Sequence, residues 1–204
     1  MPLRVLVTGA SRGFGAALAL AFAEQGARVF AGVRSTRSGL GQEFERYPGL
    51  VNTIELDVQS ARSVAEAQRE VARSVDALDV LVNNAAVRSP TVSNPISTVD
   101  FDDVAWTFDV NSIGPLRVTQ AFLPLLERGT APVLVNVSSE AGSVGQCGRT
   151  GEFDYCMSKA AVIHMTKAMA LEWGRYGINV NAICPGYIET EINSTYFKSE
   201  GGQS

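Results

Sequence analysis

The start of this chain limits its fold most: Leu3-Arg4-Val5-Leu6-Val7 runs directly into Thr8-Gly9-Ala10-Ser11-Arg12-Gly13-Phe14-Gly15 and then into an alanine- and leucine-rich stretch ending at Gly26. A short apolar run, a glycine turn and a helix-forming segment, in that order, are the context a dinucleotide-binding unit requires. Gly9 permits the tight turn. Gly13 and Gly15 let main-chain amides at the helix N-terminus approach a pyrophosphate, which the helix dipole also favours. Glycines of this kind also serve ordinary turns, and it is their place between strand and helix that gives them weight.

The rest of the chain repeats the alternation. Short apolar runs recur at Val29–Val33, Leu50–Leu56, Leu78–Val82, Val133–Val137 and Ile178–Ile183. Between them, helical spacing covers Gly13–Gly26, Gln42–Tyr47, Ser60–Asp76, Phe101–Arg128 and Phe153–Tyr176. This predicts an α/β fold, a doubly wound parallel sheet with helices on both faces. The 204 residues, 46% of them hydrophobic, suit one domain with a sizeable core. Ligands of such sheets bind beyond the carboxyl ends of the strands, where Gly9, Asp57, Asn83, Ser139 and Pro185 all fall.

Charge and cysteine content exclude several classes of function. A net charge of -4 with no block of basic residues argues against a nucleic-acid partner. No apolar run is long enough to span a bilayer, and the N-terminal apolar residues are already a strand rather than a signal peptide, so a cytoplasmic protein is expected. Cys147, Cys156 and Cys184 are odd in number and lack metal-ligand spacing, which predicts free thiols and no metal. Cys156 reads as a small buried apolar side chain, although its place after a tyrosine leaves a redox role open.

That tyrosine is Tyr155, and Lys159 follows four residues later in a chain with three lysines. On a helix the two share a face, where the ammonium can favour the ionised phenol and let it exchange protons near neutral pH. The same spacing also occurs on solvated helix faces. It gains meaning from Thr8-Gly9-x-x-x-Gly13-x-Gly15, Asn83-Asn84-Ala85, Asn111, Ser138-Ser139 and Pro185-Gly186-x-x-x-Thr190, which appear in a fixed order along the chain. Together these motifs resemble the short-chain dehydrogenase/reductase family from residue 3 to about residue 190.

The resemblance implies a Rossmann fold and hydride transfer between a nicotinamide cofactor and a small carbonyl or secondary alcohol. It makes Tyr155 the general acid and base. Lys159 would lower the tyrosine pKa and hold the nicotinamide ribose, and Ser139 would fix the substrate oxygen. Asn111, in a helix interrupted by Gly114-Pro115, would distort that helix and hold a water linking Lys159 to solvent. Counting back from Gly142 in a Ser-x-x-Gly arrangement selects Ser139 over Ser138, which would support the strand end. Asn83 would brace the central strands.

The cofactor would meet the turn Gly9, Ser11, Arg12, Gly13, Phe14 and Gly15, and Asn84 and Ala85. Asp57 and Val58 would flank the adenine, and Tyr155, Lys159, Pro185, Gly186, Ile188 and Thr190 the nicotinamide half. Where relatives that select NAD carry an acid after the second strand, this chain has Val33 followed by Arg34; with Arg12 this favours NADP(H) over NAD(H). Ala86 stands where the family has glycine. The loop from Cys147 to Glu152 lengthens the interval before Tyr155 and borders the substrate.

Residues 191–204 read as a polar tail at the start of a substrate lid, with the family's usual further helix and edge strand lacking. That suggests a catalytically silent NADP(H)-binding or subunit-interaction protein as the alternative to an enzyme. His164 reads as a packing or interface residue. Phe108, Val118, Phe122 and Leu125, with Ile163, Met165, Met169 and Leu171, give helix faces broader than one core needs, as in a homodimer or homotetramer.

Overall fold

The computed structural model describes residues 2–36, 43–89, 96–143 and 152–186. Six strands, β1 (Arg4–Thr8), β2 (Arg28–Val33), β3 (Val51–Glu55), β4 (Val80–Asn83), β5 (Val133–Val137) and β6 (Asn179–Ile183), form one sheet in the order β3-β2-β1-β4-β5-β6. Every pairing is parallel. The strand order reverses between β1 and β4, so a crevice opens above their carboxyl ends.

Two apolar layers follow from side-chain alternation along the strands. Leu6, Phe30, Leu81 and Leu134 face α2 (Ala61–Ser74), α4 (Gly114–Leu126) and α5 (Phe153–Trp173), meeting Val71, Phe122 and Met169. Val5, Val7, Val29 and Val82 face α1 (Gly13–Glu24), whose Ala16, Ala19 and Ala23 have no bulk to hold it away from the sheet.

Two predicted helices differ from expectation. Instead of a helix over Gln42–Tyr47 there is a single tight turn, Phe44–Arg46, which buries Phe44; Gln42 lies outside the described residues. The segment expected as one helix over Phe101–Arg128 divides into α3 (Phe101–Phe108), a wide π-helical turn (Asp109–Ile113) and α4, which ends at Leu126. The cause is local: Pro115 has no N–H to donate to a normal helical carbonyl. Asp100 opens α3 by accepting from Asp102 N–H at 2.8 Å, and Ser60 opens α2 by accepting from Ser63 N–H at 3.1 Å.

A chain of amides crosses the core. Asn83 and Asn136 are registered partners on β4 and β5. Asn83 Nδ2 donates to Asn136 Oδ1 and to Thr119 Oγ1, each at 2.9 Å, and Asn136 Nδ2 donates to Thr166 Oγ1 at 3.0 Å. Asn83 thus ties the two strands to α4, and Asn136 continues the link to α5, as the bracing role predicts.

Candidate active site

The glycine turn leaves β1 with Gly9 and Gly13 at φ of 65° and 58°, a region that L side chains avoid. At Gly15 the requirement is space: a Cβ would lie 2.4 Å from both Gly9 O and Asn84 Nδ2. Asn84 Nδ2 donates to Thr8 O and Gly9 O at 3.0 and 3.1 Å, and the N–H groups of Asn84 and Ala85 donate to Thr8 Oγ1. Asn84 and Ala85 therefore hold the turn from the β4 side.

Arg12 is exposed in this turn, and Arg34 is exposed directly after β2, while Val33 is buried. The two segments are adjacent, since Thr8 pairs with Gly32 and Ala10 N–H donates to Gly32 O at 2.9 Å. Asp57 accepts from Gln59 N–H at 3.0 Å in a turn after β3, and Val58 is buried against Gly114. The carbonyl of Val58 accepts from Arg117 Nη1.

The other half of the crevice comes from β5 and α5. Ser138, buried, donates to Lys159 O at 2.7 Å and fastens the strand end to the helix. The following turn, Glu140–Gly142, opens with Ser139 Oγ accepting from Ala141 N–H at 3.2 Å. Gly142 presses on α5 so closely that a Cβ would come within 2.6 Å of the Lys159 carbonyl carbon and 2.8 Å of Ala160 N. That approach brings the Ser139 hydroxyl beside the Tyr155 phenol, where it favours the ionised form. Lys159 lies beneath the ring, its Nζ 5.7 Å from the centroid, and donates to Val137 O at 2.9 Å.

The electrostatics differ from the expectation in one respect. Burial pushes the Tyr155 phenol up from its ordinary value, opposed by the neighbouring Ser139 hydroxyl and by the positive charge of Arg88. Lys159 is not the cation that offsets this. Its ammonium gives one of its three hydrogens to a strand carbonyl, and burial lowers its own pKa to about 8, partly offset by nearby Cys184.

Asn111 is held within the protein through its side chain. Its side chain is fully buried and used within the protein: Oδ1 accepts from Val87 N–H at 2.8 Å, and Nδ2 donates to Val87 O at 2.9 Å and Ser158 Oγ at 3.0 Å. It does sit in the distorted turn, as the interruption by Gly114-Pro115 suggests.

Arg88 escapes a sequence reading altogether. It follows the Asn-Asn-Ala motif without a spacing signal of its own, yet its guanidinium carbon lies 4.9 Å from the Tyr155 ring centroid and its Nη1 pairs with Glu152 Oε1 at 3.2 Å. On the far side of the serine turn, Pro185 O accepts from Glu140 N–H at 3.0 Å, and Gly186 borders the Glu140 carboxylate. Ile188, Thr190, Cys147 and residues 191–204 lie outside the described residues. Cys156 is buried, whereas Cys184 and His164 are exposed.

The crevice fits a nicotinamide dinucleotide. Its glycine turn leaves no room for a Cβ at Gly9 or Gly15, no acid stands in the first turn of α1, and exposed arginines flank the approach. Among the described residues no group of His, Cys, Asp and Glu gathers to hold a metal, and no helix is long and apolar enough to cross a membrane.

Comparison with known proteins agrees with the fold. The family model described as short chain dehydrogenase matches residues 4–201. The 3-oxoacyl-[acyl-carrier-protein] reductase FabG of Thermotoga maritima is 38% identical over 189 residues, covering 92% of this chain and 74% of that protein. An NADPH-bound carbonyl reductase from chicken fatty liver superposes with a TM-score of 0.85 at 27% identity, over 94% of this chain and 82% of that one. A gluconate 5-dehydrogenase from Burkholderia cenocepacia, in complex with NADP and tartrate, gives 0.86 at 30% identity, over 98% and 77%.

Proposed function

This chain belongs to the short chain dehydrogenase family, an oxidoreductase acting on alcohol and carbonyl groups with a nicotinamide cofactor, and from that premise we propose that it is an NADP(H)-dependent carbonyl reductase or secondary-alcohol dehydrogenase with Tyr155 as general acid and base. The observation that carries this reading is the grouping of Ser139 and the Tyr155 phenol, set by the contact of Gly142 with α5 and placed over a buried lysine. A structural helix face needs no such group.

When bound, the cofactor supplies or accepts the hydride. The chain's own residues handle the oxygen and its proton. In reduction, a substrate carbonyl accepts hydrogen bonds from Ser139 and Tyr155, and the phenol gives up its proton as negative charge develops on that oxygen. The raised phenol pKa keeps this proton in place in the ligand-free site. In oxidation the same phenolate would remove the alcohol proton. Lys159, by its place under the ring, is available to a ribose hydroxyl and to the phenolate once the cofactor excludes water. With the Asn111 side chain already committed, a water linked to Lys159 would have to be held by the main chain of the wide turn.

NADP(H) preference is supported by the exposed Arg12 and Arg34 on adjacent segments and by a buried Val33 in place of a repelling carboxylate. Gly9, Ser11, Gly13, Phe14 and Gly15 would meet the pyrophosphate, Asp57 and Val58 the adenine, and Pro185, Gly186, Ile188 and Thr190 the nicotinamide. A homodimer or homotetramer is supported by large apolar side chains left exposed along one run of helix: Ile113 and Leu116, with Met157 and Leu171 on α5.

Replacing Tyr155 by Phe tests the assignment. Turnover of a ketone panel should fall at least about a hundredfold, within the range for loss of a general acid, while NADPH still binds calorimetrically with near-native affinity and more tightly than NADH. Substantial residual turnover in Tyr155→Phe would remove the phenol from its role, and equal binding of the two cofactors would remove the arginines from theirs.

A further inference from the structure

Arg88 is fixed through both of its neighbours. On one side Val87 is clamped by the buried Asn111, which takes its N–H and meets its carbonyl. On the other, buried Ser89 donates to Asp103 Oδ2 at 3.0 Å. A loop residue held in this way, just past the carboxyl end of β4, presents its side chain at a defined place. Here that place is above the Tyr155 ring, 4.9 Å from its centroid.

Its pairing with Glu152 is incomplete. A guanidinium can bind a carboxylate through two parallel hydrogen bonds, whereas Arg88 uses Nη1 alone, at 3.2 Å. The Arg88 side chain remains 41% exposed against 16% for Glu152. Among the described residues, its other guanidinium nitrogens make no hydrogen bond. A tether serving only to hold α5 in place has no need to keep an accessible cation directly over the phenol that serves the reacting oxygen.

We propose that Arg88 is the specificity-determining residue of this site, receiving a carboxylate carried by the substrate next to the carbonyl that Tyr155 serves, with Glu152 as the resident counter-ion that the substrate displaces. The proposal rests on the oxidoreductase reading above and names its substrate class: short oxo acids and the corresponding hydroxy acids. Because the guanidinium lies 4.9 Å from the centroid of the ring whose hydroxyl would serve the carbonyl, a carboxylate on a short chain from that carbonyl can reach it. A site that pairs a charge rejects an uncharged isostere far more strongly than an apolar pocket discriminates by size.

The test compares acetoacetate with methyl acetoacetate, which share one ketone, under NADPH, and measures succinate binding to the NADP+-saturated chain by calorimetry. The wild type should favour the acid by tenfold or more in kcat/KM. Arg88→Gln should lower the acid-to-ester ratio at least tenfold, since any effect exerted through Tyr155 acts on both ketones and cancels. Glu152→Gln should raise the ratio by removing the competing carboxylate. Succinate, which has the anion without a reducible carbonyl, should bind at least tenfold more weakly to Arg88→Gln.

An unchanged ratio in Arg88→Gln, a lowered ratio in Glu152→Gln, or succinate binding that is absent in the wild type or equal in both proteins would overturn the proposal. Failure of both ketones to turn over would count against the reductase reading alone, because the succinate comparison needs no turnover and still decides the role of Arg88.

Discussion

Lys159 carries a charge that the folded protein disfavours. Its side chain is buried, it has a single carbonyl partner, and its pKa falls to about 8 because burial penalises the ammonium. In the unfolded chain a lysine titrates near its ordinary value of about 10.4, so between the two values the unfolded state binds more protons and stability rises with pH. Below about pH 8 the full penalty is present. Replacing Lys159 by Met, similar in length and without charge, should therefore stabilise the protein at pH 7 by about 2 kcal/mol while abolishing turnover. The advantage should shrink as the pH rises from about 8 towards 10.5. Denaturant unfolding of both proteins at pH 7 and pH 9.5 measures it, and an advantage that grows with pH would show that burial does not govern this group.

The elements around the site are held by backbone contacts that leave little tolerance. At Gly142 an added methyl group would strike the main chain of α5 at Lys159 and Ala160, which cannot rotate away as a side chain can. Gly142→Ala should lift the Ser139 turn from the helix, lowering kcat about a hundredfold and stability by about 2 kcal/mol, with NADPH affinity changed no more than a few-fold. Steady-state kinetics with a parallel cofactor titration would check this; a loss of cofactor affinity equal to the loss of kcat would place the damage elsewhere.

These elements were legible to different degrees. The inner strands β1, β2, β4 and β5 announce themselves as short apolar runs because the sheet is covered on both faces there, whereas the edge strands β3 and β6 mix apolar with exposed polar positions, and Ser139 could be chosen over Ser138 because Gly142 marks the turn. The pattern over Phe101–Arg128 is helical throughout, so it conceals a change of hydrogen-bonding period inside it. The partners of Arg88 and Lys159 were not legible, since a strand carbonyl and an acid 64 residues away become neighbours only in the folded chain.

At the scale of the whole molecule, the apolar surface is uneven. Leu116 is 44% and Met157 50% exposed, and Leu171 is 88% exposed although its helix face reads as apolar. Covering such a face with a second copy would remove it from water, with each large side chain contributing on the order of 1–2 kcal/mol. Sedimentation at micromolar concentration should show a dimer or tetramer, and the double substitution Leu116→Glu and Met157→Glu should shift it to monomer with the fold intact by circular dichroism. A monomeric wild type would refute the assembly.

The amide chain from Asn83 through Asn136 to Thr166 also has a meaning for the molecule as a whole. Hydrophobic layers are forgiving of slippage, because one valine replaces another against leucine at little cost. A line of amides is not, since sliding β5 by one residue against β4 or α5 would strand polar groups in a dry interior. The network acts as an indexing pin: it fixes the phase of β5 against α5, and Ser139 and Tyr155 ride on the two parts it aligns. Misaligned folds are thus penalised before any substrate arrives, so the accuracy of the chemistry is partly settled during folding.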